Sequence, residues 1–464
     1  MIRTNKWKLL LLAGDGLVVA AAVYISLYLR FNIFGQRFDA IGDPFRVFTG
    51  ASTLTILPIL LVLYFSDSYR APKKPQTIKY ISRLLLTLSI VPPALATIFY
   101  LIPSYKMYRL AYMYSFILST LFLLFWRLQF FKHIFPMLPR QKMLILGAGA
   151  TGELVAQTTL KHMDSLMEIV GFLDDDTTKK TPPEGTLKIL GSSQDALALC
   201  EKHQIDLVIV AITSDLRKET IYELMQLKMR GTDILDGVSF LKQMTGKIPI
   251  FHINETWLLF GPNFNLAKPG TLTKFQRQFD IIASSIGLTL TFPLLLIIAC
   301  LLKISSKGPV VFRQERLGHM KKPYTILKFR TMIDNAEENS GAVWAEKNDP
   351  RVTPFGRFLR RTRLDELPQL WNVLSGEMSL IGPRPERKAF VDQLEKEIPY
   401  YPLRFTAKPG LTGWAQVNYR YGSSTDDAME KLQYDLYYLQ EMSVLLNLII
   451  LLRTVQTVIL KPGS

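Results

Sequence analysis

Asp365 and Glu366 stand side by side in Leu364-Asp365-Glu366-Leu367-Pro368-Gln369, directly behind Arg357, Arg360, Arg361 and Arg363. Three neighbouring segments share the same mixture of cations, glycine and proline: Lys328-Phe329-Arg330-Thr331-Met332, Gly382-Pro383-Arg384-Pro385-Glu386 and Lys408-Pro409-Gly410. These types suit phosphates and a metal. Arginine forks match phosphate oxygens bidentately. Pro383 and Pro385 stiffen the backbone of Arg384, so its guanidinium loses less entropy on binding. Lys328, Arg330, Arg360, Arg361, Pro383, Arg384 and Pro385 are therefore the candidate phosphate or nucleotide residues. Carboxylates in such a basic field stay ionised near neutral pH, because nearby positive charge lowers their pKa. Asp365 could hold Mg²⁺ together with substrate phosphates. A carboxylate here could also attack phosphorus. On a helix, consecutive residues point ~100° apart, so Asp365 and Glu366 can border one cleft but take different roles. Each segment alone has a plainer reading. An Asp-Glu pair is often a solvated helix start, Arg363 beside it an ion pair worth under ~1 kcal/mol, and Pro-Arg-Pro a loop. Their close succession favours chemistry.

The elements that must position these residues point to a membrane. The chain has 464 residues, which suggests about three domains. Hydrophobic residues make up 48% and the mean hydropathy is +0.16. The apolar residues gather in blocks: Leu9 to Leu29, Val47 to Phe65, Leu84 to Ile102 and Leu110 to Phe125. A helix needs about 20 apolar residues to cross ~30 Å of hydrocarbon. Residues 1–135 therefore read as a four-helix transmembrane region. Pro92 and Pro93 should kink the third span. Arg3, Lys6 and Lys8 precede the first span, Arg70, Lys73, Lys74 and Lys79 separate the second from the third, and Arg127, Lys132, Arg140 and Lys142 follow the fourth. The positive-inside rule puts these on the cytoplasmic side. Asp15, inside the first span, is a functional candidate by location or a helix-packing residue. The net charge of +16 fits anionic head groups better than nucleic acid, for which no recognition motif is present. Cys200 and Cys300 make no metal-ligand spacing, and a reducing compartment fits them.

Residues 140–265 read as a Rossmann-like α/β domain. A strand from Lys142 to Leu146 runs into Gly147-Ala148-Gly149-Ala150-Thr151-Gly152 and a helix from Glu153. Gly147, Gly149 and Gly152 permit a tight turn and close approach of a phosphate to the helix. A second strand, Glu168 to Leu173, ends in Asp174, an acid placed to meet a ribose hydroxyl. A third runs from Asp206 to Ile212. The fold could bind a nucleotide or serve as a spacer, dimer contact or sensor. No YxxxK pair accompanies it, which argues against redox chemistry.

The stretch Ile281 to Leu302 is free of charge and holds Pro293 in its middle. It is either a kinked fifth span or a re-entrant helix over residues 278–303. Arg277 before it and Lys303 and Lys307 after it favour the re-entrant form, with both ends on the positive side. Residues 275–464 then form an α/β catalytic domain on the cytoplasmic face.

Lys328 to Met332, Arg360 to Gln369, Met378 to Pro385 and Lys408 to Trp414 together resemble the signature of the bacterial polyprenyl-phosphate sugar-1-phosphate transferases, the monotopic phosphoglycosyl transferases. The order of membrane region, Rossmann-like domain and catalytic domain is similar to their large members, and Glu430 to Tyr438 fits the exopolysaccharide branch. The resemblance implies a bacterial inner-membrane enzyme with a UDP-hexose donor, an undecaprenyl phosphate acceptor, Mg²⁺ and contact with membrane lipids. It implies that Asp365 forms a covalent phosphosugar with release of UMP, that Glu366 assists, and that Asp435 has a supporting polar role. A homodimer is also expected, from the tendency of such tethered α/β domains to pair. Two departures stand out. Arg363 takes a place where Ser is usual, and Phe292 precedes Pro293 where many relatives carry Ser. Two rival readings are a nicotinamide-dependent sugar-nucleotide enzyme centred on Gly147 to Gly152, and a non-enzymatic scaffold of polysaccharide assembly.

Overall fold

A computed structural model describes residues 6–32, 44–66, 68–69, 78–89, 91–92, 109–161, 166–176, 187–213, 215–253, 271–305, 308–333, 349–419, 422 and 424–460. It forms two compact units, Met1–Phe240 and Leu241–Ser464.

The first unit begins with helices α1 (Lys6–Asn32), α2 (Pro44–Phe65), α3 (Ile78–Leu88) and α4 (Arg109–Gln129). Long apolar runs with few helix breakers make these helices, and they bury Leu11, Val19, Val23, Leu63, Leu84 and Leu123 against one another. Gly14 lets α1 and α4 close: a Cβ there would lie 2.2 Å from the Trp126 indole. Among the described residues, Trp7–Leu29, Tyr112–Met137 and Leu272–Ser305 are long and apolar enough to cross a bilayer. This is a membrane protein. The third expected span starts earlier than read, at Ile78, and its residues 93–102 lie outside the described set, as do Arg3, Arg70, Lys73 and Lys74. Arg127 differs from its reading as a flanking cation. It is fully buried, with Nη2 2.6 Å from Asp15 Oδ2 and Nη1 donating to Ser68 O at 2.8 Å. Tyr69 Oη donates to the same Asp15 oxygen at 2.8 Å. Asp15 thus has a packing role, since a charge among apolar helices must be paired.

An α/β layer follows: β1 (Gln141–Leu146), α5 (Ala150–Lys161), β2 (Met167–Leu173), β3 (Ile189–Gly191), α6 (Ala196–His203), β4 (Leu207–Val210), α7 (Lys218–Met229), β5 (Asp233–Asp236) and α8 (Gly237–Thr245). The sheet is parallel with order β3-β2-β1-β4-β5, and β1 pairs Gln141 with Met167 and Met143 with Leu207. Such an order, with helices as crossovers, is the doubly wound arrangement. The short strands β3 and β5 carry too few apolar residues to stand out in the sequence. At the turn, Gly147 has φ +105°, and a Cβ on Gly152 would fall 2.0 Å from Gly147 O. Gly149 faces open space.

The second unit is built on α9 (Thr271–Ser305), a helix of 35 residues. Then come the antiparallel hairpin β6 (Val311–Leu317) and β7 (Pro323–Phe329), α10 (Pro354–Thr362), α11 (Gln369–Ser375), β8 (Ser379–Ile381), α12 (Lys388–Glu397), β9 (Gly410–Thr412), α13 (Trp414–Asn418), α14 (Thr425–Glu441) and α15 (Val444–Leu460). β8 and β9 pair in parallel. Pro293 lies inside α9, which is helical on both sides of it. Proline frees the carbonyl four residues before it, here Thr289, on the exposed side. Thr289 and Thr291 hydroxyls donate back to Ser285 O and Gly287 O at 2.9 and 2.6 Å, a pattern that bends helices without ending them. One face of α9, with Asp280, Ser284, Ile298 and Leu302, is buried against the unit. The opposite face exposes Ile282, Ile286, Leu290, Phe292 and Ile297.

Candidate active site

Helix α10 starts at an N-cap, Thr353, whose hydroxyl accepts from Gly356 N at 3.0 Å. Gly356 is required there, because a Cβ would sit 2.0 Å from Thr331 O. The helix ends at Arg363, which adopts the left-handed region with φ 61°. That reversal starts a 3₁₀ turn, Leu364–Glu366, which carries the Asp-Glu pair. Arg360 Nε donates to Thr331 Oγ1 at 2.8 Å and fixes the helix on the strand end.

The pair divides as its geometry demands. Glu366 is gripped: its Oε1 accepts from Arg384 Nη2 at 2.7 Å and from Lys328 Nζ at 3.3 Å, with Arg363 Nη1 at 4.0 Å. Asp365 is buried at 8% exposure, and its Oδ1 has no hydrogen-bond partner among the described residues. Buried polar atoms are nearly always paired, and here the orphan lies on a carboxylate beside Lys328, Arg360 and Arg384, so a ligand or a reacting atom can fill the place.

The charges follow. Burial works to raise the Glu366 pKa, but Arg384 and Lys328 outweigh it and hold the carboxyl well below the usual range. Burial, then the charge of Glu366, push Asp365 up to about 6, against Lys328, Arg360 and Arg384. The basic field therefore lowers only one of the two acids. The sequence reading, which gave both the same shift, is corrected by the burial of Asp365. Burial also pulls Lys328 below its ordinary value, opposed by Glu366.

Lys328 lies within β7, and the strand is pinned from behind. Buried Asn372 accepts from Leu327 N at 3.0 Å and donates to Thr325 O at 2.8 Å. Arg384 is set by close backbone packing. A Cβ on Gly382 would fall 2.3 Å from Lys408 O, and Gly410 N donates to Pro383 O at 2.8 Å. Arg330 is buried at the end of β7, its N–H donating to Val310 O at 3.0 Å. Arg361 is exposed, and among the described residues no hydrogen bond or ion pair links it to the acids. Asp435 is buried in α14, 2.9 Å from Arg404 Nη2. Gly147, Gly149, Gly152 and Asp174 belong to the first unit and form their own turn. There Asp174 Oδ2 accepts from Ala148 N at 2.7 Å and Oδ1 from Asp176 N at 2.9 Å.

Sequence reasoning missed Asn372, Arg404 and the polar turn at the start of α9. Gln276 Nε2 donates to Ser379 Oγ and Ile381 O, Arg277 donates to Val373 O and Leu374 O at 2.6 and 2.7 Å, and Asp280 accepts from Leu380 N. A lone polar residue in an apolar stretch was the available signal for Asn372.

Comparison with known proteins bears on this arrangement. Residues 271–461 match the bacterial sugar transferase family, and residues 65–229 match a CoA-binding domain family. A UDP-glucose:undecaprenyl-phosphate glucose-1-phosphate transferase of Caulobacter vibrioides is 44% identical over 186 residues, which is 40% of this chain and 69% of that protein. The chain belongs to the bacterial sugar transferases. The UDP-N-acetylgalactosamine-undecaprenyl-phosphate N-acetylgalactosaminephosphotransferase of Aeromonas hydrophila is 42% identical over 222 residues, 48% of this chain and 51% of that protein. The UDP-glucose:undecaprenyl-phosphate glucose-1-phosphate transferase of Escherichia coli is 45% identical over 220 residues, 47% of this chain and 45% of that protein. The match thus spans about half the length of these last two relatives. Every residue of the Asp365 site lies inside the matched sugar transferase segment of this family member.

Proposed function

We propose that this bacterial sugar transferase moves a sugar 1-phosphate from a UDP-hexose to undecaprenyl phosphate and releases UMP, the first membrane step of exopolysaccharide or O-antigen assembly. One observation carries the reading: a buried carboxylate oxygen without a partner, on Asp365, beside a glutamate held by two cations. In the first step an oxygen of ionised Asp365 attacks the sugar-bearing phosphorus. The bond from that phosphorus to the bridging oxygen of UMP breaks, and UMP leaves with the electron pair. In the second step an oxygen of the prenyl phosphate attacks the same phosphorus. Its bond to Asp365 breaks and the carboxylate is restored. Glu366 keeps Arg384 and Lys328 facing the phosphates, where fixed positive charge stabilises the transition state. The soluble donor and the lipid acceptor need not occupy the site together.

The residues fit magnesium. Among the described residues no three His, Cys, Asp or Glu side chains cluster, and Glu366 is already engaged. One unpaired carboxylate, Asp365, with the rest from substrate phosphates and water, is how Mg²⁺ is usually held. When bound, it would offset charge on the donor diphosphate.

The catalytic unit sits at the cytoplasmic face of the inner membrane, with α9 re-entrant rather than crossing. What supports this is that both ends of α9 rest on one compact unit. Arg277 ties its start to α11, and Ile298 and Leu302 pack its end against Phe329 and Leu359. A spanning helix would carry its ends to opposite sides. Two copies assemble in the membrane in this reading, which light scattering in detergent tests.

Purified protein in nanodiscs, given UDP-glucose, UDP-galactose or UDP-N-acetylgalactosamine with Mg²⁺ and undecaprenyl phosphate, should release UMP with one of them. No UMP across this panel would sink the reading.

A further inference from the structure

Arg404 and Asp435 form a second charged centre behind the Pro-Arg-Pro loop. Arg404 is 4% exposed and Asp435 2%. The guanidinium is used on three sides. Nη2 lies 2.9 Å from Asp435 Oδ2 and donates to Arg384 O at 3.0 Å, and Nη1 donates to Tyr401 Oη at 2.6 Å. Its Cζ lies 5.2 Å from the Tyr401 ring centroid and 6.0 Å from that of Phe405.

A buried ion pair is weak support for stability, since apolar residues of equal volume often do as well. The contact that apolar residues could not supply is the one to the Arg384 carbonyl. Pro383-Arg384-Pro385 has three carbonyls and a single backbone N–H, so only donors from elsewhere can hold it. Gly410 N takes the carbonyl of Pro383, and Arg404 takes that of Arg384. From the backbone so held, the Arg384 side chain reaches Glu366 at 2.7 Å. We infer that Arg404, oriented by Asp435, is a positioning residue that sets where the Arg384 guanidinium meets the donor diphosphate. This rests on the proposed transfer reaction. Arginine is needed, because a planar fork donates to the carbonyl and the phenol while it stays in ion-pair range of the Asp435 carboxylate, whereas an ammonium is a point donor.

The test is a double-mutant cycle in nanodiscs with the UDP-sugar that supports turnover. R404K should raise the donor KM at least tenfold while the fraction of enzyme that forms the phosphosugar adduct and the thermal midpoint stay at wild-type values. Asp435→Asn should act in the same direction. In the R384A background R404K should add less than twofold, because the guanidinium it positions is gone. Effects that multiply, or a loss of active fraction with unchanged KM, would overturn the inference while leaving the transfer reaction intact. A wild-type enzyme that releases no UMP would overturn both.

Discussion

The glycine-rich turn after β1 and the turn that carries Asp365 each bring carboxylates close to a turn of backbone, but with opposite outcomes. At the first, Asp174 accepts from Ala148 N and Asp176 N, while Asp175 accepts from Ser193 N and faces Arg217 at 3.3 Å. These acids are engaged with their own fold. At the second, Glu366 is equally engaged, and its neighbour Asp365 keeps a buried oxygen without a partner. A glycine signature marks a backbone shape, whereas an unsatisfied buried carboxylate amid cations that its neighbour holds in place suits a reaction. The comparison also weakens the nicotinamide reading, since the acid expected at a ribose is held by the loop itself.

The sharpest way to break this contrast is Asp365→Asn. It keeps shape and burial but removes the nucleophile, and UMP release should fall by at least ~10⁴, the scale on which nucleophile removal acts. Adduct formation with the donor should vanish with it. Turnover within tenfold of wild type would end the assignment.

Glu366→Gln tests the division of labour inside the pair. Its loss frees Arg384 and Lys328 from their common partner, and turnover should drop by ~10² to 10³, as when one fixed donor to a transition state is lost. The pH profile gives a second reading. kcat/KM reports ionisation in the free enzyme. Asp365, pushed up to about 6 by burial and by Glu366, must be ionised to attack. The wild-type rate should therefore climb with pH and level off above about pH 6. In Glu366→Gln a negative neighbour is gone, so Asp365 ionises more readily and the inflection moves to lower pH. A shift to higher pH would contradict the assigned roles.

What the sequence made legible follows from where each signal resides. Long apolar runs announce helices by themselves, and Gly147 to Gly152 announces a strand-turn-helix unit, because Gly147 takes a positive φ and a Cβ on Gly152 would strike Gly147 O. Asp365, Glu366, Lys328 and Arg384 were legible as a dense group. Their division of roles was not, since it depends on Lys328 and Arg384 converging from two separate segments on one oxygen of Glu366. Arg127 read as a loop cation because its partner, Asp15, lies 112 positions away. Arg404, Asn372 and Gln276 serve backbone carbonyls, and no residue type reveals which carbonyl a distant strand leaves open. Pro293 leaves α9 helical on both sides of it, because the packed face of the helix continues past it.

The smallest expected effect belongs to the first turn. Asp174→Ala removes the acceptor for the amides of Ala148 and Asp176. A buried donor left without its partner costs about 1–3 kcal/mol, so the loop should open more often and amide exchange across residues 147–152 should speed up. UMP release should change by less than threefold, because no atom of the proposed chemistry is touched. Hydrogen exchange by mass spectrometry, run beside the turnover assay, separates the two. If exchange rises and turnover holds, the turn is a structural element with its own polar balance. If turnover collapses while the adduct still forms on Asp365, the first unit takes part in the second displacement, and the contrast between the two turns would have to be redrawn as a division of steps.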